Sequence, residues 1–216
     1  NDGTLLKAFE AEGMRTLGID PGQRTGKLAK EQGVPVCQTF WNKQTGQAFR
    51  QLNLAPKVIT ATAVFYHMPD LHDFVAGLSE AMDKDTVFVV QCVYIKELIE
   101  KLQFDHFYHE HSCIHAIAPL KRLFADHRLR ILDVEFYEIH GGSFVLYVGQ
   151  ENNPRQTSEA VDRAIDTEKA AGLFDLVVYK EFTKSVQNKA KHINALLTKL
   201  KKEGKTVYGL GAPVKG

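Results

Sequence analysis

At about 150 residues per domain, a chain of 216 residues holds one full domain and part of another. Its 44% hydrophobic, 25% charged and 10% aromatic residues match an ordinary globular protein and exclude disordered, collagen-like and coiled-coil chains. Twenty-seven Lys and Arg against 26 Asp and Glu give a net charge of +1, so bulk electrostatics draws in neither nucleic acid nor anionic lipid, and neither is expected as a partner. A local basic pocket for one phosphate stays compatible with that balance. Cys37, Cys92 and Cys113 stand far apart without a CxxC, which predicts a reducing, cytoplasmic setting and no structural zinc in this stretch. The longest apolar runs are strand-sized, too short to span a bilayer. The sequence opens on Asn1-Asp2-Gly3-Thr4 and closes on Gly211-Ala212-Pro213-Val214-Lys215-Gly216. Both ends read as cuts through structured elements, so a longer parent chain is expected.

Leu5, Leu6 and Phe9 at helical spacing predict a short helix over 4–12, stopped by Gly13. Residues 14–20 read as a strand ending on Asp20, and Pro21-Gly22 turns the chain into a helix through about residue 32. A second strand over 34–40 and a helix over 43–52 follow. Residues 58–64 form a continuous apolar run of the type buried in parallel sheets. Leu71, Phe74, Val75 and Leu78 place one apolar face on a helix over 70–82, with Asp70 as a natural N-cap. A strand over 86–93 and helices over 95–102 and 116–127 come next, separated by an aperiodic polar and aromatic loop at 104–115. Strands 129–139 and 143–148 close the unit around His140-Gly141-Gly142. This alternation predicts a mostly parallel α/β sheet with an antiparallel edge hairpin. Residues 152–156 read as a linker into two further helices, the second over about 173–202, and Gly204 ends that one ahead of an apolar run that begins another α/β unit.

In such sheets ligands bind beyond the carboxyl ends of the strands, which ranks the candidate residues. Asp20 at a strand end, with Asp2-Gly3 as the tail of a glycine-rich turn, suits the two ribose hydroxyls of an adenosyl cofactor, and Asp-Pro-Gly is equally ordinary turn chemistry. His67 follows the strand ending near Val64, as a catalytic-loop residue or as a histidine beside a helix start. Phe107-Tyr108-His109-Glu110-His111 crowds acid, base and hydroxyl groups into one loop. It reads as a general base with its partners, as metal ligation by His109 and His111 with Glu110 or His115, or as a solvated connector. His140-Gly141-Gly142-Ser143 reads as a hairpin device or as a close backbone approach to a ligand.

Taken together, these motifs resemble one family, the S-adenosylmethionine-dependent sugar C-methyltransferases that act on nucleotide-linked 4-keto-6-deoxysugars. The residues that carry the resemblance are Asn1-Asp2-Gly3-Thr4-Leu5-Leu6, Gly18-Ile19-Asp20-Pro21, His67-Met68-Pro69-Asp70, Phe104-Asp105 with Tyr108-His109-Glu110-His111, His140-Gly141-Gly142-Ser143 and the terminal 209–216. The resemblance implies a Rossmann-like methyltransferase domain over 1–150 lacking its first strand, followed at 151–216 by the start of a second, substrate-binding α/β domain. A zinc module would lie before Asn1, leaving no metal site in these residues. S-adenosylmethionine would meet Asn1, Asp2, Gly3, Asp20, Pro21, Thr62 and Ala63. His111 would act as base with Glu110, Tyr108 and His67 around it, and the nucleotide sugar would touch His109, His140, Gly141, Gly142, Ser143 and Lys215. The sequence departs from relatives at Ala63, where a polar amide residue is common, and at Gln91-Cys92-Val93-Tyr94, where a Pro-Tyr pair is usual. Alternatives are an oxygen or nitrogen acceptor on the same fold, a noncatalytic sugar-nucleotide binder, or a histidine-rich metal hydrolase. Oligomeric state is left open by the sequence.

Overall fold

A computed structural model describes residues 1–210, so Lys215 and the turn at 211–216 lie outside the described residues. Among the described residues eight α-helices alternate with six strands. In chain order these are α1 (Thr4–Ala11), β1 (Gly18–Ile19), α2 (Gln23–Glu31), β2 (Val36–Cys37), α3 (Lys43–Gln51), β3 (Val58–Thr62) and α4 (Leu71–Ala81). They continue as β4 (Val87–Val93), α5 (Ile95–Glu100), α6 (Ile117–Asp126), β5 (Leu129–Tyr137), β6 (Ser143–Gln150), α7 (Glu159–Ala170) and α8 (Leu176–Lys202). Strands β3, β4, β6 and β5 lie in that order in one sheet, and β1 pairs with β2 in another. The pairs β1–β2 and β3–β4 are parallel, whereas β6 runs antiparallel to both β4 and β5. The α/β alternation and the antiparallel edge hairpin expected from the sequence are both present.

Two strand expectations need correction. The runs 14–20 and 34–40 contribute only two paired residues each, because β1 and β2 have only each other as ladder partners among the described residues. A strand extends only as far as its backbone groups find partners. Among the described residues the run 58–64 lies at the sheet edge: Val58 is 43% exposed, Ala61 is buried, and Val64 falls beyond the strand end.

The core is built where both faces of β4 and β6 are covered. Phe65, Phe88, Phe124 and Phe144 are fully buried. Phe65 meets Phe74, Phe88 and Phe124 at ring separations of 5.2, 6.5 and 6.2 Å, within the range of favourable aromatic pairs. Helix α4 begins on Asp70, whose carboxylate accepts the Asp73 N–H at 2.9 Å, and it buries Phe74, Val75 and Leu78 as its spacing predicts. It crosses α3 at glycines on both sides: a Cβ on Gly46 would lie 2.1 Å from the Gly77 carbonyl oxygen.

Packing continues past residue 150. Asn153 is buried and its side-chain amide donates to the Thr86 carbonyl at 3.3 Å, while the Arg130 guanidinium donates to the Asn153 carbonyl at 2.9 Å and to Thr157 Oγ1 at 2.8 Å. The 152–156 segment is therefore pinned to the sheet instead of acting as a free linker. Helix α7 adds Val161, Ala164 and Ile165 to the same core cluster as the sheet. Helix α8 buries no residue, and Leu176, Val177, Ile193, Leu196 and Leu197 stay exposed along it.

The fully buried Glu168 of α7 explains how α6 begins. Its carboxylate oxygens accept the Ile117 N–H at 2.5 Å and the Ala118 N–H at 3.0 Å, satisfying two donors that an α-helix N-terminus leaves open. Glu168→Leu strands both donors and is expected to cost about 2–6 kcal/mol of stability, at about 1–3 kcal/mol per unpaired buried group. Glu168→Gln keeps an acceptor and should lose less. Urea unfolding of the two variants measures the difference.

His115 makes the fold acid-sensitive. It is 4% exposed, with its ring 5.2 Å from that of Phe65, and burial pushes its pKa down to about 4 against a smaller opposing contribution from the Phe65 backbone. An unfolded chain takes up a proton at this side chain near pH 6.5, whereas the folded chain does so only near pH 4. Stability is thus full above pH 6.5 and is lost as pH falls toward 4. The urea midpoint is expected to drop between pH 7 and pH 5, and His115→Leu should flatten that part of the slope.

Candidate active site

The carboxyl ends of β3 and β4 and the start of β6 meet at one edge of the sheet, because β6 runs antiparallel to β4 with Ser143 opposite Val93. From the end of β3 the chain passes Ala63 and enters a 3-10 turn, Phe65–His67. Phe65 and Tyr66 are buried there, which anchors the half-buried His67. The loop 104–115 returns to the same edge. The Cys113 N–H donates to the Tyr66 carbonyl at 3.3 Å, and Ile95 N–H donates to the His115 carbonyl at 3.1 Å.

Loop and turn together form one cluster of rings. Tyr66 lies 4.6 Å from both His67 and His111, His67 lies 5.1 Å from His111, and Tyr108 lies 4.1 Å from His111, measured between ring centroids. Hydrogen bonds fix the histidines. His67 donates from Nδ1 to the Glu110 main-chain carbonyl at 2.7 Å, and His111 donates from Nδ1 to the His106 carbonyl at 2.7 Å. A carbonyl only accepts, so each Nδ1 carries the proton and a neutral ring keeps its lone pair on Nε2. For His111 that lone pair receives the Tyr108 hydroxyl, 2.7 Å away. Tyr108, His111 and the His106 carbonyl therefore form a continuous line in which a proton can pass from phenol to imidazole.

His67, Tyr108 and His111 are thus brought together. Glu110 contributes its main-chain carbonyl to the cluster, and the residue is exposed. His109 is exposed, its ring 6.2 Å from that of Tyr108. His115 belongs to the core. Among the described residues no three His, Cys, Asp or Glu side chains are grouped to hold a metal ion.

A second group gathers at the end of β1. Gly3, at φ 90°, starts α1 and packs so closely that a Cβ would come within 3.1 Å of Val34 Cγ2. Asp2 accepts the Thr4 N–H at 3.1 Å. Asn1 is paired through its terminal amine with Asp20 Oδ2. Asp20 Oδ1 accepts the Gly22 N–H at 2.7 Å and the Thr25 hydroxyl at 2.9 Å, so Asp20 also steadies the Pro21-Gly22 turn and the start of α2. Partial burial works to raise the Asp20 pKa. The bonds from Gly22 and Thr25 work against that rise.

The hairpin His140-Gly141-Gly142-Ser143 carries three successive positive φ values, 54°, 83° and 142°. Its glycines admit close approach by the protein itself: a Cβ on Gly141 would clash with the Gln103 amide at 2.3 Å and one on Gly142 with Glu97 at 2.5 Å. Lys101 and Gln103 both donate to the Gly141 carbonyl, at 2.9 and 3.0 Å. His140 is exposed at the apex and Ser143 is buried at its foot.

Three contributors escaped the sequence reading. Tyr66 sits inside the ring cluster, and the His106 carbonyl sets the His111 tautomer. Gln91 is buried in β4, and its signal was visible as the single amide in Val87-Phe88-Val89-Val90-Gln91-Cys92-Val93. The loop also touches α8, where the Phe107 and Phe182 rings lie 5.6 Å apart.

Residues 138–216 match the family described as the C-methyltransferase C-terminal domain. C-methyltransferase NovU of Streptomyces niveus is 30% identical over all of this chain, which covers 51% of that protein. The chain spans about half the length of the curated relatives it matches. Among solved structures, a SAM-dependent methyltransferase of Methanosarcina mazei aligns at 11% identity and a TM-score of 0.53, over 69% of this chain and 88% of that one. A Pyrococcus horikoshii protein aligns at 12% identity and a TM-score of 0.53, over 69% and 77%. These likenesses show the Rossmann-like methyltransferase fold. Residues 1–134, more than half of the chain, match the methyltransferase domain family, and the chain belongs to that family.

Proposed function

We propose that this chain is part of an S-adenosylmethionine-dependent C-methyltransferase that methylates C3 of a nucleotide-linked 4-keto-deoxysugar. The observation that carries the reading is the Tyr108–His111 pair beside His67 at the carboxyl edge of β3 and β4. The likeness to NovU and to a C-methyltransferase C-terminal domain supports a carbon acceptor.

The donor set fits an adenosyl cofactor. Asp20 offers a carboxylate at the end of β1, next to Asn1, Asp2 and Gly3, and a carboxylate so placed accepts hydrogen bonds from ribose hydroxyls. Thr62 and Ala63, at the end of β3, are assigned to its methionine end. When bound, S-adenosylmethionine supplies an electrophilic methyl group on sulfur. Among the described residues β1 and β3 each pair on one side only.

The chain's own residues supply the rest of the chemistry. A carbon beside a ketone becomes nucleophilic when a base removes its proton. In the neutral state His111 Nε2 is the accepting nitrogen, and Tyr108 bridges it to the substrate. The C3 proton goes to the Tyr108 oxygen as the phenolic proton moves to Nε2, leaving an imidazolium braced by the His106 carbonyl. Glu110, next in the chain, is assigned the countercharge. His67, with its Nδ1 proton committed to the Glu110 carbonyl, presents Nε2 as an acceptor suited to a sugar hydroxyl. His109 and the exposed His140 at the hairpin apex are assigned to the nucleotide sugar, whereas Gly141, Gly142 and Ser143 face the protein itself. No described helix is long and apolar enough to cross a membrane, and three free thiols, one of them exposed, suit a cytoplasmic setting.

In the intact protein His111→Asn should abolish exchange of the substrate C3 proton with solvent, read by NMR in deuterated buffer. Unchanged exchange would remove His111 from the base role. Tyr108→Phe should lower kcat by about 10²–10⁴-fold, the usual range for losing a proton-transfer group. A methyl-labelled donor identifies the acceptor, and label on oxygen or nitrogen would overturn the C3 assignment.

A further inference from the structure

Gln91 has no part in the chemistry above, yet it is the polar group most committed to the site's framework. It is 6% exposed, between the fully buried Val90 and Cys92. A β-ladder needs no side-chain amide, and burying one is unfavourable unless it is hydrogen-bonded. Both ends of this amide are used. Gln91 Oε1 accepts the Ala63 N–H at 3.0 Å, and Nε2 donates to Ser143 Oγ at 2.8 Å. Ser143 in turn donates to the Ile139 carbonyl at 2.8 Å. One chain of bonds thus crosses β3, β4 and β6 and reaches the foot of the 140–142 hairpin.

Its first contact falls on a residue in a left-handed conformation. Ala63 has φ 54°, a left-handed conformation that a residue with a Cβ adopts only at a cost. This residue bends the chain out of β3 into the turn that carries His67. Asparagine tolerates that region better than alanine does. Here the stabilising amide comes from the neighbouring strand.

We infer that Gln91 is a positioning residue for methyl transfer, fixing the spacing between the donor edge at Thr62–Ala63 and the acceptor edge at 139–143. The inference rests on the cofactor and substrate assignments proposed above.

The test compares Gln91→Leu, Ser143→Ala and the parent in the intact protein, by calorimetric titration with S-adenosylmethionine, by steady-state methyl transfer, and by amide hydrogen exchange at Ala63. Gln91→Leu should speed exchange at Ala63, weaken S-adenosylmethionine binding about tenfold and lower kcat. Adding Ala63→Gly to Gln91→Leu should recover part of the binding, because glycine takes this φ unaided, but not kcat, because the hairpin stays untethered. Ser143→Ala cuts only the second arm and should lower kcat while leaving cofactor affinity at the parent value; it serves if Gln91→Leu fails to fold. A folded Gln91→Leu with parent affinity and kcat would overturn the inference, as would a loss that follows melting temperature alone. A parent protein that does not bind S-adenosylmethionine would instead overturn the functional reading, with exchange at Ala63 still deciding whether the tether exists.

Discussion

Two main-chain carbonyls determine what this site can do. Those of His106 and Glu110 each take the Nδ1 proton of a histidine, so His111 and His67 are both committed to one tautomer before any substrate arrives. A loop of free imidazoles would sample both tautomers and present either nitrogen. Here the Nε2 of His111 is the accepting one and Tyr108 is already hydrogen-bonded to it. The proton path is therefore set by backbone geometry, and the backbone is set in turn by the burial of Phe65 and Tyr66 beneath it.

That dependence runs deeper into the fold. The loop bearing Tyr108 and His111 ends at His115, whose ring is in the core, and passes into α6, whose first N–H groups rest on the buried Glu168 carboxylate of α7. The Tyr94 hydroxyl is also buried and feels the same carboxylate. Its pKa is raised first by loss of water and then by the charge of Glu168. Helix α7, placed by sequence in the second domain, thus helps to fix the end of the candidate catalytic loop. Phe182 of α8 touches that loop as well, through Phe107. Residues beyond 150 support the site structurally as well as following it in the chain.

Much of this was legible in the sequence, for identifiable reasons. Alternating apolar runs and amphipathic stretches located the helices closely, and Asp70 caps α4 as its position before Leu71 suggested. The crowding of Tyr108, Glu110 and His111 marked out one loop, and it was the family resemblance, not any spacing, that set His67 beside it. Strand lengths were less legible, since β1 and β2 end where ladder partners end and no local pattern encodes that. The apolar run at 58–64 looked buried because residue type reports what a strand can tolerate, whereas exposure depends on which edge is covered. Roles played by main-chain atoms, such as the His106 carbonyl, leave no trace in residue identity. Gln91 did leave one, as a lone amide among valines, and its meaning depended on Ala63 being in a left-handed conformation that sequence does not display.

The most direct measurement is a long-range ¹⁵N–¹H correlation spectrum of the histidine rings in the intact protein, with Tyr108→Phe used to assign the pair. The expected result is a protonated Nδ1 and an unprotonated Nε2 on neutral His111, with the Nε2 resonance moving when the Tyr108 hydroxyl is removed. A neutral His111 protonated on Nε2, indifferent to Tyr108, would contradict the proton path from phenol to imidazole on which the proposed chemistry depends.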